Sequence, residues 1–252
     1  MHAGIITYQT GHLKTSQLMR KLMGKGHRIT LFAFPFTLRP RKEEIGFAER
    51  PYQIVDFDVE AFCREHKIRY LKMNGWSDGN AKDLGDPGDL DTPDVFLTVI
   101  AKIIPEAFLR GRTILNSHPG LLPENRGLDA FKWCIVNDWP IGNTLHIIDE
   151  QIDRGTILAR QRVPILPTDN LSDVAERAYE MEVDLQANFD RHLDNIDNGW
   201  CVGDDHPLSR TRIPVEIHDQ LETLFLEKRK ALVDIASDMS IRAHPADLSV
   251  EN

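Results

Sequence analysis

Asn116, His118 and Asp153 are an amide, an imidazole and a carboxylate, and between them they can run addition to a carbonyl carbon. A fixed amide donor steadies the negative charge that builds on oxygen in a tetrahedral intermediate. An imidazole near neutral pH takes a proton from the attacking group and returns one to the leaving group. A carboxylate beside that imidazole fixes its orientation and can order a water for proton relay. Taken singly, each has an ordinary reading: Asn116 and His118 as polar residues after a strand, Asp153 as a turn residue near Gly155. Their joint presence on two loops favours chemistry. His146 lies inside an apolar run and reads as a packed histidine, Glu150 and Arg154 read as solvated, and Arg126 stands between ligand contact and loop anchor. No metal is expected, because His118, His146 and Asp153 lack a familiar ligand spacing and no His-Glu-x-x-His pattern occurs.

The elements that must position these groups follow from hydrophobic patterning. Thr113-Ile114-Leu115 is an apolar run that delivers Asn116 and His118 onto a loop interrupted by Pro119, Gly120, Pro123 and Gly127. Ligands of open α/β sheets bind at such strand ends. Residues 4–8 predict a strand, Leu13, Leu18, Leu22 and Met23 one face of a helix that Gly24 and Gly26 stop, and residues 28–34 a second strand. That is a parallel crossover, half of a Rossmann-like unit. Its loop has only Gly11, so a dinucleotide fingerprint is missing, and Gly11, His12, Lys14 and Thr15 are left as either a phosphate contact or a helix cap. Residues 35–52, with the charge run 39–44, predict a long solvent-facing connection. A helix is expected over 58–66, an extended piece over 68–72, a polar loop over 74–91, a buried strand over 95–100 and a short helix from Pro105 to Leu109.

Leu128, Phe131, Cys134 and Ile135 then fit one face of a helix ending near Asp138. Residues 143–148 and 156–163 predict a hairpin whose tip carries the acidic knot from Asp149 to Gly155. Leu171, Val174, Ala178, Leu185, Phe189, Leu193 and Ile196 trace one long helix begun by Asp169 or Asn170. Beyond Trp200 the composition changes, and Ile217, Leu221, Leu224, Phe225, Leu232 and Ile235 suggest one more helix. The organisation expected is a core over 1–199 and an appendage of loop plus helix over 200–252, with residues 242–252 frayed. The apolar face of that last helix serves either a dimer contact or packing on its own core.

Composition narrows the function classes. Three cysteines without metal or redox spacing predict reduced thiols. A net charge of -9 argues against a broad nucleic-acid footprint. No signal peptide or membrane-length apolar run is visible, so a cytoplasmic enzyme is expected.

Asn116-Ser117-His118-Pro119-Gly120-Leu121-Leu122-Pro123, with Arg126-Gly127 after it and Asp149-Glu150-Gln151-Ile152-Asp153-Arg154-Gly155-Thr156-Ile157-Leu158 further on, resembles the signature of the folate-dependent formyltransferases. The resemblance covers residues 94–196 and, more faintly, the first crossover. It implies an α/β, Rossmann-like core with a mostly parallel sheet, and transfer of a formyl group from N10-formyltetrahydrofolate to an amine. It also implies Asn116, His118 and Asp153 as catalytic residues and Ile100, Ile148, Asp149, Gln151 and Asp153 as folate contacts. Two positions depart from the family pattern: Gly120 stands where serine is common, and residues 98–102 replace a small, Gly-containing strand end. The stretch from Tyr8 to Leu13 lacks the Gly-Ser-rich phosphate loop of the glycinamide ribonucleotide enzymes. Residues after Trp200 are too few for the barrel of the methionyl-tRNA enzymes, and no regulatory domain of the deformylase kind precedes the first strand. The sugar-nucleotide N-formyltransferases remain, and Arg210-Thr211-Arg212-Ile213-Pro214-Val215-Glu216 looks like their Arg-rich, Pro-Glu stretch. The pattern is nearest to the kind that formylates GDP-perosamine for O-antigen and lipopolysaccharide biosynthesis. Gly11, His12, Lys14, Arg126, Arg210 and Arg212 are then the candidates for contacts with the nucleotide sugar. Formylation of another small amine such as glycinamide ribonucleotide, or binding of a nucleotide sugar without catalysis, are the alternatives.

Overall fold

Seven strands form one sheet in the order β3-β2-β1-β4-β5-β6-β7: β1 His2–Tyr8, β2 Arg28–Phe34, β3 Arg69–Lys72, β4 Val95–Thr98, β5 Ile114–His118, β6 Gly142–Ile147 and β7 Ile157–Arg162. The computed structural model describes residues 1–36, 47, 54–197, 199–201 and 209–237. β3, β2, β1, β4 and β5 run parallel, whereas β6 and β7 are antiparallel to their neighbours. Parallel strands need crossovers and are covered on both faces, which is why β1, β2 and β4 are buried at nearly every position. The charge run 39–44, the loop residues 204–207 and the tail 242–252 lie outside the described residues.

The helices are α1 Leu13–Gly24, α2 Val59–Glu65, α3 Glu106–Leu109, α4 Ala130–Asn137, α5 Leu171–Ala187, α6 Val215–His218 and α7 Leu221–Ser237. On one face of the sheet α1, α2 and α5 bury Leu18, Leu22, Phe62, Tyr179 and Val183 against Ile5, Leu31, Leu97 and Leu115. On the other, α3 and a 3₁₀ turn over Asp78–Leu84 bury Phe108 and Leu84 against Ile6, Phe32 and Phe96. A third cluster joins α4, α5 and α7 through Phe131, Ile135, Val174, Leu221, Phe225 and Leu232.

Six expectations change. Asn116 and His118 lie within β5 rather than on the loop after it, and the expected polar loop 74–91 holds the 3₁₀ turn Asp78–Leu84. The buried run 95–100 is strand only to Thr98; Val99 and Ile100 leave the ladder yet stay buried in the core. Leu128 is half exposed, because Asp129, in a left-handed conformation, starts α4 one residue later. The expected long helix ends at Ala187, Asn188 turning its side chain onto Asp184 O, and Phe189–Arg191 and Leu193–Asn195 continue as 3₁₀ turns. The single C-terminal helix is two, α6 following Pro214 and α7 starting at Leu221. Asn170 does cap α5, its side chain accepting from the Asp173 amide in a capping box. Leu221, Phe225 and Leu232 are covered by the chain's own core, which takes the self-packing reading of that face.

Candidate active site

β5 and β6 place the polar groups by register. Asn116 lies opposite His146 and His118 opposite Thr144. Side chains alternate along a strand, so Asn116, His118 and His146 share one face. Asn116 Nδ2 stands 3.3 Å from His146 Nε2. His146 is fully buried, and burial lowers its pKa to about 4, against the pull of Asp153 and with help from the His118 charge. It is therefore neutral at pH 7, and its Nε2 lone pair accepts from the Asn116 amide, which fixes the carboxamide.

His118 is also buried, with Nε2 2.8 Å from Asn125 O. A carbonyl only accepts, so Nε2 carries a proton and donates it. Nδ1, 3.5 Å from Asp153 Oδ2, is then the nitrogen able to take or release one. Gly120 makes this seat possible: a Cβ there would lie 2.7 Å from Asn125 O and 2.9 Å from His118 Nε2. The loop itself is pinned by Thr144, whose hydroxyl donates to Gly120 O at 2.7 Å and accepts from Leu122 N at 3.0 Å. Asn125 Nδ2 donates to Ala130 O at 2.7 Å, and the Leu122-Pro123 peptide is cis.

Asp153 reaches the pair from the β6–β7 loop in a left-handed conformation, φ 50°. Its Oδ2 accepts from Gly127 N at 2.9 Å, and its Oδ1 lies 3.9 Å from His146 Nε2. Burial opposes ionisation, but the His118 and His146 imidazoles, the Gly127 amide and Arg126 together outweigh it and hold the carboxyl below its usual range. Arg126 donates from Nε and Nη2 to Ile152 O at 3.1 and 2.6 Å, so its guanidinium clamps the peptide just before Asp153. The assembly is an anchored amide, a buried imidazole and an ionised carboxylate.

The other expected folate contacts are Ile100, Ile148, Asp149 and Gln151. Ile100 is buried, Ile148 N donates to Ile114 O at 2.9 Å, and Asp149 Oδ1 accepts from Gln151 N at 2.9 Å. Asp149 and Gln151, with Glu106, Leu109, Arg110 and Glu150, line a cleft of about 350 Å³. The six expected nucleotide-sugar contacts separate. Gly11 is packed so closely that a Cβ would lie 2.2 Å from Val55 O, His12 is buried with Nδ1 3.0 Å from Thr15 Oγ1, and buried Lys14 is ion-paired with Glu182. Arg126 is the anchor just described. The Arg210 guanidinium lies 5.2 and 4.4 Å from the ring centroids of Trp133 and Trp139, and Arg212 is exposed, 3.8 Å from Asp129.

His146, Thr144 and Asn125 are the site groups that sequence reasoning passes over. The first two become visible only when β5 and β6 are set in register, since an apolar strand hides a histidine until its cross-strand neighbour is known. Among the described residues no three His, Cys, Asp or Glu are grouped to hold a metal ion, and no helix is long and apolar enough to cross a membrane.

Residues 76–188 match the family model described as formyl transferase. A phosphoribosylglycinamide formyltransferase of Haemophilus influenzae is 38% identical over 73 residues, covering 29% of this chain and 34% of that protein. A dTDP-4-amino-4,6-dideoxyglucose formyltransferase of Mycobacterium bovis is 34% identical over 95 residues, covering 38% of this chain and 39% of that protein. The chain thus spans well under half the length of these curated relatives. Among solved structures, a sugar N-formyltransferase of a Shewanella species superposes with a TM-score of 0.53 at 18% identity, covering 90% of this chain and 87% of the other, and so shares the fold. A phosphoribosylglycinamide formyltransferase of Anaplasma phagocytophilum does so with a TM-score of 0.56 at 18% identity, covering 81% and 96%. Asn116, His118 and Asp153 all fall inside the stretch that is similar to the formyl transferase family, a stretch shorter than half of the chain.

Proposed function

We propose that this protein transfers a formyl group from N10-formyltetrahydrofolate to the amine of a nucleotide-linked amino sugar, with GDP-perosamine the favoured acceptor and O-antigen or lipopolysaccharide biosynthesis the setting. The observation that carries the reading is the convergence of Asn116 and His118 from β5 and Asp153 from the β6–β7 loop, with His118 Nδ1 facing the carboxylate. Ile148, Asp149 and Gln151, with the backbone of Ile100, are the groups that would hold the folate, which supplies the formyl carbon. The cleft beside Asp149 and Gln151 joins polar loop groups to apolar Leu109, a chemistry that suits a conjugated ring with polar edges. His118 Nδ1 receives the proton of the attacking amine and returns it to the folate nitrogen as the bond from that nitrogen to the formyl carbon breaks, Asp153 holds the imidazole in place, and Asn116 donates to the oxyanion. Arg212, an exposed cation, is the candidate partner for a substrate phosphate.

A second acceptor, glycinamide ribonucleotide, is favoured by the likeness to the Haemophilus influenzae enzyme. The loop after β1 speaks against it, because Gly11 is packed on the backbone and Lys14 is engaged with Glu182. The test is release of tetrahydrofolate from the formyl donor against a panel of GDP- and dTDP-linked 4-amino-4,6-dideoxy sugars, glycinamide ribonucleotide and water. One sugar is expected to turn over well above the controls. Asn116→Ala and His118→Ala are expected to lose about a hundredfold or more in kcat. Equal rates in wild type and both variants, or transfer to water alone, would sink the proposal.

A further inference from the structure

Residues 210–213 run along residues 126–133, the loop before α4 and its first turn, and are fixed to them repeatedly. Arg210 N donates to Arg126 O at 2.8 Å, and Leu128 N donates to Arg210 O at 2.9 Å. Trp133 Nε1 donates to Thr211 O at 2.9 Å, and Ile213 N donates to Asp129 Oδ2 at 3.2 Å. The Arg210 guanidinium is flanked by Trp133 and Trp139, a cation over two aromatic faces. Ile213 is buried in the cluster that α7 completes.

Backbone geometry gives this strap a consequence for Asp153. Gly127 and Arg210 form a parallel bridge, a pattern that uses the polar groups of the residues flanking Gly127 and leaves its own N–H on the other side. Arg210 takes Arg126 O and Leu128 N on one edge, so Gly127 N–H is turned out of the other, where it meets Asp153 Oδ2 at 2.9 Å. The close approach demands glycine: Gly127 has φ 97°, and a Cβ there would lie 2.3 Å from Arg210 O. We infer that the C-terminal strap, locked by Arg210 between Trp133 and Trp139, is a positioning device for the Asp153 carboxylate and, through it, for His118. Arg210 is therefore a positioning residue rather than a phosphate ligand. Its energetic role is to make the Gly127 bridge rigid, since an anchored strap resists the small displacements that degrade a proton-exchanging contact.

The inference rests on the formyl-transfer reading for its catalytic half and not for its structural half. Arg210→Met is expected to speed hydrogen exchange of the Gly127 amide about tenfold or more, as a local opening. It is also expected to lower kcat per folded molecule by about tenfold, with both KM values changed by less than about twofold. Arg210→Lys restores little, because an ammonium has no plane to lay between two rings. Trp139→Leu removes one wall without touching Arg210 and is expected to act in the same direction, which keeps the test open if Arg210→Met fails to fold. Wild-type exchange and wild-type kcat in the folded variants overturn the inference, as does faster exchange with unchanged kcat. A wild-type enzyme that formylates no acceptor defeats the proposed function instead, and the Gly127 exchange comparison then decides the brace by itself.

Discussion

His146 shows how burial sets the working state of a side chain. Its pKa falls from an ordinary 6.5 to about 4. Between those values the unfolded chain binds a proton that the folded one refuses, so stability rises with pH across the window. The contribution is complete above pH 6.5 and is lost as pH falls toward 4, on the order of 3 kcal/mol in all. His146→Gln is expected to flatten this slope, as urea denaturation at pH 4.5, 5.5, 6.5 and 7.5 would show. An equally steep slope in the variant would mean that another group supplies it. Asp153 works at the other end: its depressed pKa gives stability that is present above the ordinary carboxylate range and fades only below it. The residue types of Asn116, His118 and Asp153 were legible because they stand in a pattern dense with Pro and Gly. His146 was not, because its value comes from the strand beside it.

At the scale of elements, α1 and α5 meet through a buried ion pair, Lys14 with Glu182. Lys14 had the look of a phosphate ligand because it opens a helix after a strand, and nothing local distinguishes that role from a structural one. The distinguishing partner lies on a distant helix. Lys14→Met strands Glu182 without that counter-charge in the core and is expected to cost about 3–5 kcal/mol, whereas Lys14→Met combined with Glu182→Leu is expected to recover most of the loss. Denaturation midpoints of the two variants measure this, and equal midpoints would show that the pair does not act as a unit. The strands and most helices were readable from pattern, since central parallel strands carry apolar runs such as Leu31-Phe32-Ala33-Phe34 and Val95-Phe96-Leu97 and α5 announces itself with a capping box. What period could not supply was where a helix stops. α5 ends at Ala187 although apolar spacing continues through Phe189 and Leu193, because 3₁₀ turns bury the same residues on a tighter pitch.

For the whole molecule, the third cluster crosses the boundary that composition suggests near residue 199. Leu221, Phe225 and Leu232 on α7 fill space between α4 and α5, each contributing about 1.5–3 kcal/mol of burial. A chain ending at Gly199 would open Phe131, Ile135 and Val174 to water. It is expected to bind a hydrophobic dye strongly and to unfold at clearly lower urea than the full chain; dye binding and a midpoint equal to the full chain's would contradict the packing described. Residues from both sides of that change of composition share one buried cluster.

The strap along residues 126–133 also orders events in time. Synthesis runs from the amino end, so β7, closing at Arg162, leaves the ribosome well before Arg210 does. A nascent chain at that stage has its sheet, its imidazoles and its carboxylate, but nothing on the outer edge of Gly127. The brace on Gly127 is therefore the last part of the site to be made.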